Sequence, residues 1–205
     1  MDSNLLIALA SSIFTAVIGP IAVSIVNRKL EIKHKENALK DSLKKNALVS
    51  NKIEGIKEQL KADRVWVMQF HNGGTFYPTG KSIQKFSMFY ELVSQDTTSV
   101  QSQFQNIPVS LFSKSINHLL EEDNIIIPDF KDEKIATYGL KYTAVETGSK
   151  SVYIFGIRDI NNKLIGMLGV DFIKRKKALD QDDLQTLELE AAHIGGVLHN
   201  HLTEK

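Results

Sequence analysis

The chain has 205 residues, enough for one good-sized domain with accessory segments, and its contents of apolar residues (42%) and charged residues (24%) are ordinary for a globular protein. Its net charge of +1 lacks the positive excess that is typical of nucleic-acid-binding proteins, so no nucleic-acid partner is expected. The absence of cysteine excludes disulfides, thiol nucleophiles and thiolate metal sites.

The N-terminal segment is strongly apolar. Residues 5–26, LLIALASSIFTAVIGPIAVSIV, contain no charged residue and no histidine. As a helix they would span about 33 Å, which is long enough to cross a bilayer core. A cleaved signal peptide usually has a basic start and a shorter apolar core, whereas Asp2 precedes this run. We predict a transmembrane helix in residues 1–27 that contacts the lipid bilayer through residues 5–26; a signal peptide and a buried soluble helix are the alternatives.

Basic residues follow this segment and predict its orientation. They outnumber the three nearby acids Glu31, Glu36 and Asp41, and an excess of lysine and arginine tends to stay in the cytoplasm. We therefore expect a single-pass protein of the bacterial inner membrane with a cytoplasmic soluble domain. The basic residues are Arg28, Lys29, Lys33, Lys35, Lys40, Lys44 and Lys45.

Residues 28–61 are predicted to form a helical stalk. The segment contains no proline, and its apolar residues approximate a seven-residue repeat, which indicates a weak coiled coil and a homodimer or higher oligomer as partner. The alternative is a single helix that packs on the following domain. The apolar positions are Ile32, Leu39, Val49, Ile53, Ile56 and Leu60.

Residues 62–205 alternate between strand and helix patterns. RVWVMQF, residues 64–70, has the two-residue alternation of a strand, and 82–93 predicts a second strand that runs into a short helix. Residues 94–106 are polar and predict a surface loop, 110–123 an amphipathic helix, and 124–130 a short strand stopped by Pro128. Residues 131–150 have a mixed pattern that predicts no regular element.

The C-terminal part carries the clearest pattern. Two apolar runs are joined at 161–163 by Asn-Asn-Lys, and asparagine tolerates the positive φ of a tight hairpin turn. Gly156, Gly166 and Gly169 lie inside these strands, where a helix could approach the sheet. Asp180 is placed to cap a closing helix, whose apolar stripe is Leu184, Leu187, Ala191, Ile194 and Leu198.

This order of elements predicts an α+β fold, an antiparallel sheet with helices packed on one face, preceded by the transmembrane helix and the stalk. Over residues 45–200 it resembles a GAF domain, through IKEQLKADRVWVMQF, SVYIFGIRDINNKLIGMLGVDF and ALDQDDLQTLELEAAHIGGVL. The resemblance implies a six-stranded or similar sheet and a ligand pocket roofed by the variable middle segment. GAF ligands include cyclic nucleotides, bilins, haem and small metabolites. This chain lacks a cysteine to attach a bilin and lacks the usual cyclic-nucleotide motif, so we expect no cofactor.

The architecture is also similar to the holins of T-even bacteriophages, in which ADRVWVMQF and NNKLIGMLGVDF would have counterparts of similar character. That resemblance implies timed membrane lesions during host-cell lysis and a soluble domain in the periplasm that receives an inhibitor there. The basic stalk argues against a periplasmic domain.

No enzymatic chemistry is predicted. His199 and His201 are two residues apart on a helix and point to different sides, and no other zinc-ligand spacing is present. GKS at 80–82 lacks the upstream glycine of a P-loop, and no G-x-S-x-G motif occurs. We therefore expect neither a metal site nor catalytic activity.

The stretch FHNGGTFY, residues 70–77, has two interpretations. As a ligand loop, Gly73 and Gly74 would let the backbone approach a ligand, while His71 and Asn72 would donate and accept hydrogen bonds. As a tight turn, it would need positive φ at both glycines. The predicted binding residues of an unknown small molecule or protein partner are Trp66, Gln69, His71, Asn72, Gly73, Gly74, Tyr77, Tyr90, Asp129 and Tyr153. The sequence thus predicts a membrane-anchored, non-enzymatic sensory module, with a holin-like membrane effector as the alternative.

Overall fold

The structure is a computed structural model that describes residues 19–76, 78–131 and 138–203. Within those ranges no helix is both long enough and apolar enough to span a membrane. Most of the predicted span at residues 5–26 lies outside the described residues. The chain divides into two compact units, Met1–Lys44 and Lys45–Lys205.

Helix α1, Gly19–Leu60, is one uninterrupted helix of 42 residues. In the first unit its surface carries i,i+4 ion pairs, Lys35 with Glu31 and Lys40 with Glu36, which support an exposed helix. In the second unit its apolar positions 49, 53, 56 and 60 are fully buried in the domain. About the last three turns of the predicted stalk are therefore part of the domain core, as the packing alternative expects.

A single antiparallel sheet of six strands has the order β3–β2–β1–β6–β5–β4. Every pair of adjacent strands except β1 and β6 is consecutive in the chain, and the pairing of β1 with β6 joins the two halves of the sheet. The strands are β1 Arg64–Thr75, β2 Ser82–Val93, β3 Ile107–Pro108, β4 Asn124–Ile127, β5 Ser151–Arg158 and β6 Leu164–Phe172. The six-stranded sheet is confirmed, and β2 continues as strand to Val93 without the short helix expected there.

Helices cover both faces of the sheet, so the expectation of helices on one face is wrong. The end of α1 and helix α4, Gln181–Thr203, lie on one face. A 3-10 turn at Val109–Phe112, helix α2 at Ser113–Glu122 and helix α3 at Tyr138–Thr147 lie on the other. The reason is visible in the central strands, which bury apolar side chains alternately on both faces.

Two apolar cores result. The first core lies between the sheet and helices α1 and α4, and it includes Val49, Ile53, Val65, Val67, Leu168, Val170, Leu187, Ile194 and Leu198. The second core lies on the opposite face beneath α2, α3 and the 94–106 segment. It includes Trp66, Met68, Phe86, Met88, Val100, Ile116, Leu119, Ile125, Leu140, Ile154 and Met167.

The closing hairpin and helix form as the sequence predicts. Asn162 has φ of 62° in the turn between β5 and β6, and Asp159 accepts two backbone hydrogen bonds from that turn at 2.9 Å each. Asp180 caps α4 by accepting a hydrogen bond from the Asp183 amide at 2.8 Å. The close approach of a helix to the sheet occurs at Gly195 of α4, where a Cβ would lie 2.1 Å from the Arg158 carbonyl oxygen.

Candidate functional site

A cavity lies inside the second core, between the sheet and helices α2 and α3. Its volume is about 60 Å³. One side is formed by strands β1, β2, β4, β5 and β6, and the opposite side by the two helices together with Val100 and Phe104 from the 94–106 segment. The loop that the sequence predicts at 94–106 therefore does more than connect β2 to β3, because it covers part of the cavity.

Most of the cavity surface is apolar. Trp66 and Met68 come from β1, and their alternation in the strand points both toward this face. Phe86 of β2 packs edge-on against Phe112, with ring centroids 5.5 Å apart. Ala144 of α3 is the smallest apolar residue on the helical side and is 5% exposed. This surface suits an apolar group of a ligand, because most of the side chains along it are apolar.

One end of the cavity is polar and charged. The guanidinium of Arg64, at the start of β1, donates a hydrogen bond from Nη1 to Oδ2 of Asp171 in β6 at 2.7 Å. Trp66 Nε1 donates to Oδ1 of the same carboxylate at 3.2 Å, and Ser149 Oγ donates to Oδ2 at 3.2 Å. Three donors converge on the two oxygens of Asp171, and all four residues line the cavity.

A second carboxylate lies on the far side of Arg64. Nε of Arg64 is 3.1 Å from Oε1 of Glu91 in an ion pair whose angle is too poor for a hydrogen bond. Glu91 also accepts hydrogen bonds from the backbone amides of Val100 and Gln101 and from the hydroxyl of Ser99. Glu91 therefore ties the 94–106 segment to the sheet, and through Arg64 it is linked to the cavity.

The environment of Asp171 shifts its acid–base behaviour. Burial raises the pKa of Asp171 above its ordinary value, and the Arg64 guanidinium and the hydrogen bonds from Trp66 and Ser149 oppose that rise. The carboxylate is therefore held in place by partners that favour its charged form, in surroundings that disfavour it.

Hydroxyl groups extend the polar end onto helix α3. Thr147 Oγ1 donates to the Thr143 carbonyl at 2.9 Å and lies 2.9 Å from Ser149 Oγ. Thr143 Oγ1 donates to the Gly139 carbonyl at 3.0 Å. A chain of hydroxyl oxygens thus leads from α3 to Asp171.

Of the nine predicted binding residues that the structure describes, Trp66 alone lines the cavity. Gln69 alternates with Trp66 in β1 and belongs to the opposite face, which Val65 and Val67 share. Tyr90 and Tyr153 also pack with the first core. Tyr90 donates to Oδ1 of Asn46 at 2.7 Å, and burial raises its pKa.

Tyr153 has a structural position under helix α4. Its hydroxyl donates to the Lys177 carbonyl at 2.6 Å and accepts from the Leu179 amide at 3.1 Å. Burial raises the pKa of Tyr153, and the hydrogen bond from Leu179 acts in the opposite direction. Asp129 lies outside the cavity too: Lys176 and the Lys131 amide donate to it, and both contacts lower its pKa, with Lys176 the larger cause.

The HNGG segment forms the end of β1 and lies away from the cavity. His71 Nε2 is 2.8 Å from Ser87 Oγ, and Asn72 accepts a hydrogen bond from Gln84 across the β1–β2 pair at 2.8 Å. Gly74 has φ of +83°, whereas Gly73 does not have positive φ. The expectation of positive φ at both glycines is therefore wrong. Tyr77 lies outside the described residues.

The sequence contained signals for the cavity that the prediction did not use. Arg64 directly precedes the apolar run Val65–Met68 of β1, and Asp171 lies within the apolar run of β6. A charged residue in a strand buried on both faces needs a partner, because an unpaired buried charge is very unfavourable. Within residues 19–76, 78–131 and 138–203 no cluster of three histidine or acidic side chains is arranged to hold a metal ion.

Comparison with known proteins shows the fold. No family model and no curated protein matches the chain. A far-red cyanobacteriochrome photoreceptor is similar in structure, with a TM-score of 0.61 at 15% identity over 87% of this chain and 98% of that one. The blue-light absorbing form of the Thermosynechococcus elongatus PixJ GAF domain has a TM-score of 0.64 at 13% identity, over 79% and 89% of the two chains. The phycocyanobilin-bound GAF domain of a cyanobacterial phytochrome has a TM-score of 0.62 at 14% identity, over 87% and 94%. The GAF-like fold expected from the sequence is thereby confirmed.

Proposed function

We propose that this chain is a non-enzymatic sensory module that binds a small molecule in the cavity of its second core. The observation that carries the proposal is the combination of an apolar chamber with one polar end, built from Arg64, Trp66, Asp171 and Ser149. Ligand sites typically combine an apolar lining with a few polar groups that orient the ligand.

The likeness to solved structures supports this proposal. The phytochrome GAF domain among them is named as phycocyanobilin-bound. In the present chain the helices α2 and α3 and the 94–106 segment cover one face of the same kind of sheet and enclose the cavity.

The size of the cavity limits the ligand. Its volume of about 60 Å³ is smaller than the roughly 150 Å³ cavity that holds benzene in an engineered protein. It is also far below the range of about 300–1,000 Å³ that drug-sized ligands occupy. The proposed ligand is therefore a molecule of a few non-hydrogen atoms.

Membrane attachment and oligomerisation complete the proposal. The apolar segment at 5–26 would anchor the module in the bacterial inner membrane, with the domain in the cytoplasm, and α1 would pair with other copies through residues 28–44. Ile32, Leu39 and Leu43 are each more than half exposed in the described chain, which is compatible with such pairing. The holin-like function stays a prediction, because it depends on the same segment at 5–26.

A fragment screen on the whole 205-residue chain tests ligand binding. Small neutral and charged molecules are added, and the midpoint of thermal unfolding is recorded. Ala144→Leu, which places a larger side chain in the cavity, should abolish any rise. Ala192→Leu, the same substitution at an exposed position of α4, should not. The proposal fails if no fragment raises the midpoint, or if the rise persists unchanged in Ala144→Leu.

A further inference from the structure

Carboxylates outnumber cations among the buried side chains at the cavity's polar end. Arg64 is the cation of both ion pairs, and it faces the two carboxylates of Asp171 and Glu91. All three side chains are at most 7% exposed, so water screens them little. With both carboxylates ionised, this buried cluster carries an excess of one negative charge, and Asp171 is the carboxylate that lines the cavity.

The polar end also has fewer hydroxyl hydrogens to donate than oxygen atoms that can accept them. The Thr147 hydroxyl has one hydrogen, and it is donated to the Thr143 carbonyl. The single hydroxyl hydrogen of Ser149 then has two acceptors within reach, Thr147 Oγ1 at 2.9 Å and Asp171 Oδ2 at 3.2 Å. When Ser149 donates to Asp171, the hydroxyl oxygens of Thr147 and Ser149 accept none of the described hydrogen bonds.

Each of the three guanidinium nitrogens of Arg64 already faces a partner, and its positive charge is balanced by two carboxylates before a ligand enters. Nη1 binds Asp171, Nη2 donates to the Thr98 carbonyl at 3.0 Å, and Nε faces Glu91. An anionic ligand would meet a guanidinium whose partners are in place and a carboxylate that repels it. A ligand that carries positive charge and hydrogen-bond donors would instead meet the Asp171 carboxylate and two hydroxyl oxygens that receive no hydrogen bond from the described residues.

Resting on the proposed function, we propose that the cavity selects a short primary alkylammonium ion. Its ammonium group would donate to Asp171 and to the hydroxyl oxygens of Thr147 and Ser149, and its alkyl chain would contact the apolar surface near Met68 and Ala144. An ammonium group has three donors and no acceptor, which matches the deficit on the protein side. The cavity of about 60 Å³ restricts the chain to a few carbons.

Trp66 provides a direct probe of this site. It is the chain's one tryptophan, its indole lines the cavity, and its N–H donates to Asp171. The ¹H–¹⁵N signal of that indole can be followed while n-propylamine, n-propanol and propionate are titrated into the whole chain at neutral pH and constant ionic strength. These three probes share their alkyl chain and differ in charge and donor number.

The expected result is binding of n-propylamine about tenfold tighter than n-propanol, with propionate weakest, because hydrogen bonds between charged partners are stronger than those between neutral ones. Asp171→Asn should remove the preference for the amine, whereas Asp182→Asn, which removes one exposed charge on α4, should keep it. If Asp171→Asn does not fold, Thr147→Val serves instead. It should weaken amine binding about threefold while n-propanol binding changes less.

Three outcomes separate this inference from the proposed function. Equal binding of amine and alcohol, or tighter binding of propionate, overturns the charge selection while ligand binding stands. An amine preference that survives both Asp171→Asn and Thr147→Val also overturns it. If none of the three probes moves the indole signal and the fragment screen is negative, both proposals fail.

Discussion

The indole of Trp66 lies across Gly169, the residue directly opposite it in the pairing of β1 with β6. A Cβ at position 169 would lie 2.0 Å from Cζ2 of the indole, closer than two carbon atoms approach in proteins. The tryptophan can therefore line the cavity in this orientation only if residue 169 has no side chain.

Gly169→Ala should destabilise the domain by about 1–3 kcal/mol, the usual cost of overpacking a core, and should change the fluorescence of Trp66. Gly196→Ala is the matched control: nothing lies within 4 Å of a Cβ there, and alanine favours helix α4 by about 1 kcal/mol. Urea unfolding measures both. Equal stability of the two variants would contradict the packing described.

Arg64→Met should lower the free energy of unfolding by about 3–5 kcal/mol, because it leaves the buried carboxylates of Asp171 and Glu91 without their cation. Lys174→Met breaks an ion pair with Asp96 in which both side chains are at least half exposed, and it should cost less than about 1 kcal/mol. Chemical denaturation compares them, and similar losses would show that Arg64 is not a buried partner.

His71→Ala should lower stability by about 1 kcal/mol through loss of the contact with Ser87, and it should leave binding in the cavity unchanged. Thermal unfolding and the Trp66 indole titration measure the two effects separately. Lost ligand response with unchanged stability would restore the ligand-loop interpretation of the HNGG segment.

The two neighbouring glycines of β1 should differ in their tolerance of alanine. Gly74→Ala forces an L residue to φ of +83° and should cost about 1–2 kcal/mol. Gly73→Ala meets the side chain of Lys85 at 2.5 Å, but that chain is flexible and can move aside, so the cost should be smaller. The reverse order of stabilities would contradict the described backbone.

Asp159→Asn should reduce thermal stability at neutral pH, with the difference closing in acid. The hydrogen bond from the Lys163 amide is the largest cause that lowers the pKa of Asp159 below 3.8. A lowered pKa means that the folded state favours the ionised form, so the stabilisation exists above the unfolded pKa and is lost as pH falls through the folded one. Unfolding midpoints of both proteins from about pH 7 to about pH 2 test this. A difference that persists at the acid end would exclude a contribution from the charge.

The parts of the fold that were predicted well depend on residues that lie close together in the sequence. The β5–β6 hairpin depends on an asparagine in its turn, and the start of α4 depends on Asp180, three residues before the amide that it caps. Both signals are local in sequence. Helix α3 was missed because its apolar residues form no single stripe: Leu140 and Ala144 are buried, while Tyr142 and Val145 are exposed.

The GAF resemblance implied a pocket, but its polar end was not predicted, because that end joins residues that are distant in the chain. Arg64 and Asp171 are 107 positions apart, and only the pairing of β1 with β6 brings them together. The apparent signal at HNGG arises instead from a strand end and the positive φ of Gly74. Glycine is unusual within a strand, and at position 74 it reflects the positive φ that the backbone adopts there.

The first core brings Val49 of helix α1 together with Leu198 of helix α4. During synthesis, the apolar side of α1 therefore has no partner from α4 until nearly the whole domain has left the ribosome. Contacts of such large sequence separation slow folding, because the intervening chain must be ordered before they form. We expect nascent chains of this protein to expose that side of α1 for most of translation, as a natural binding surface for chaperones.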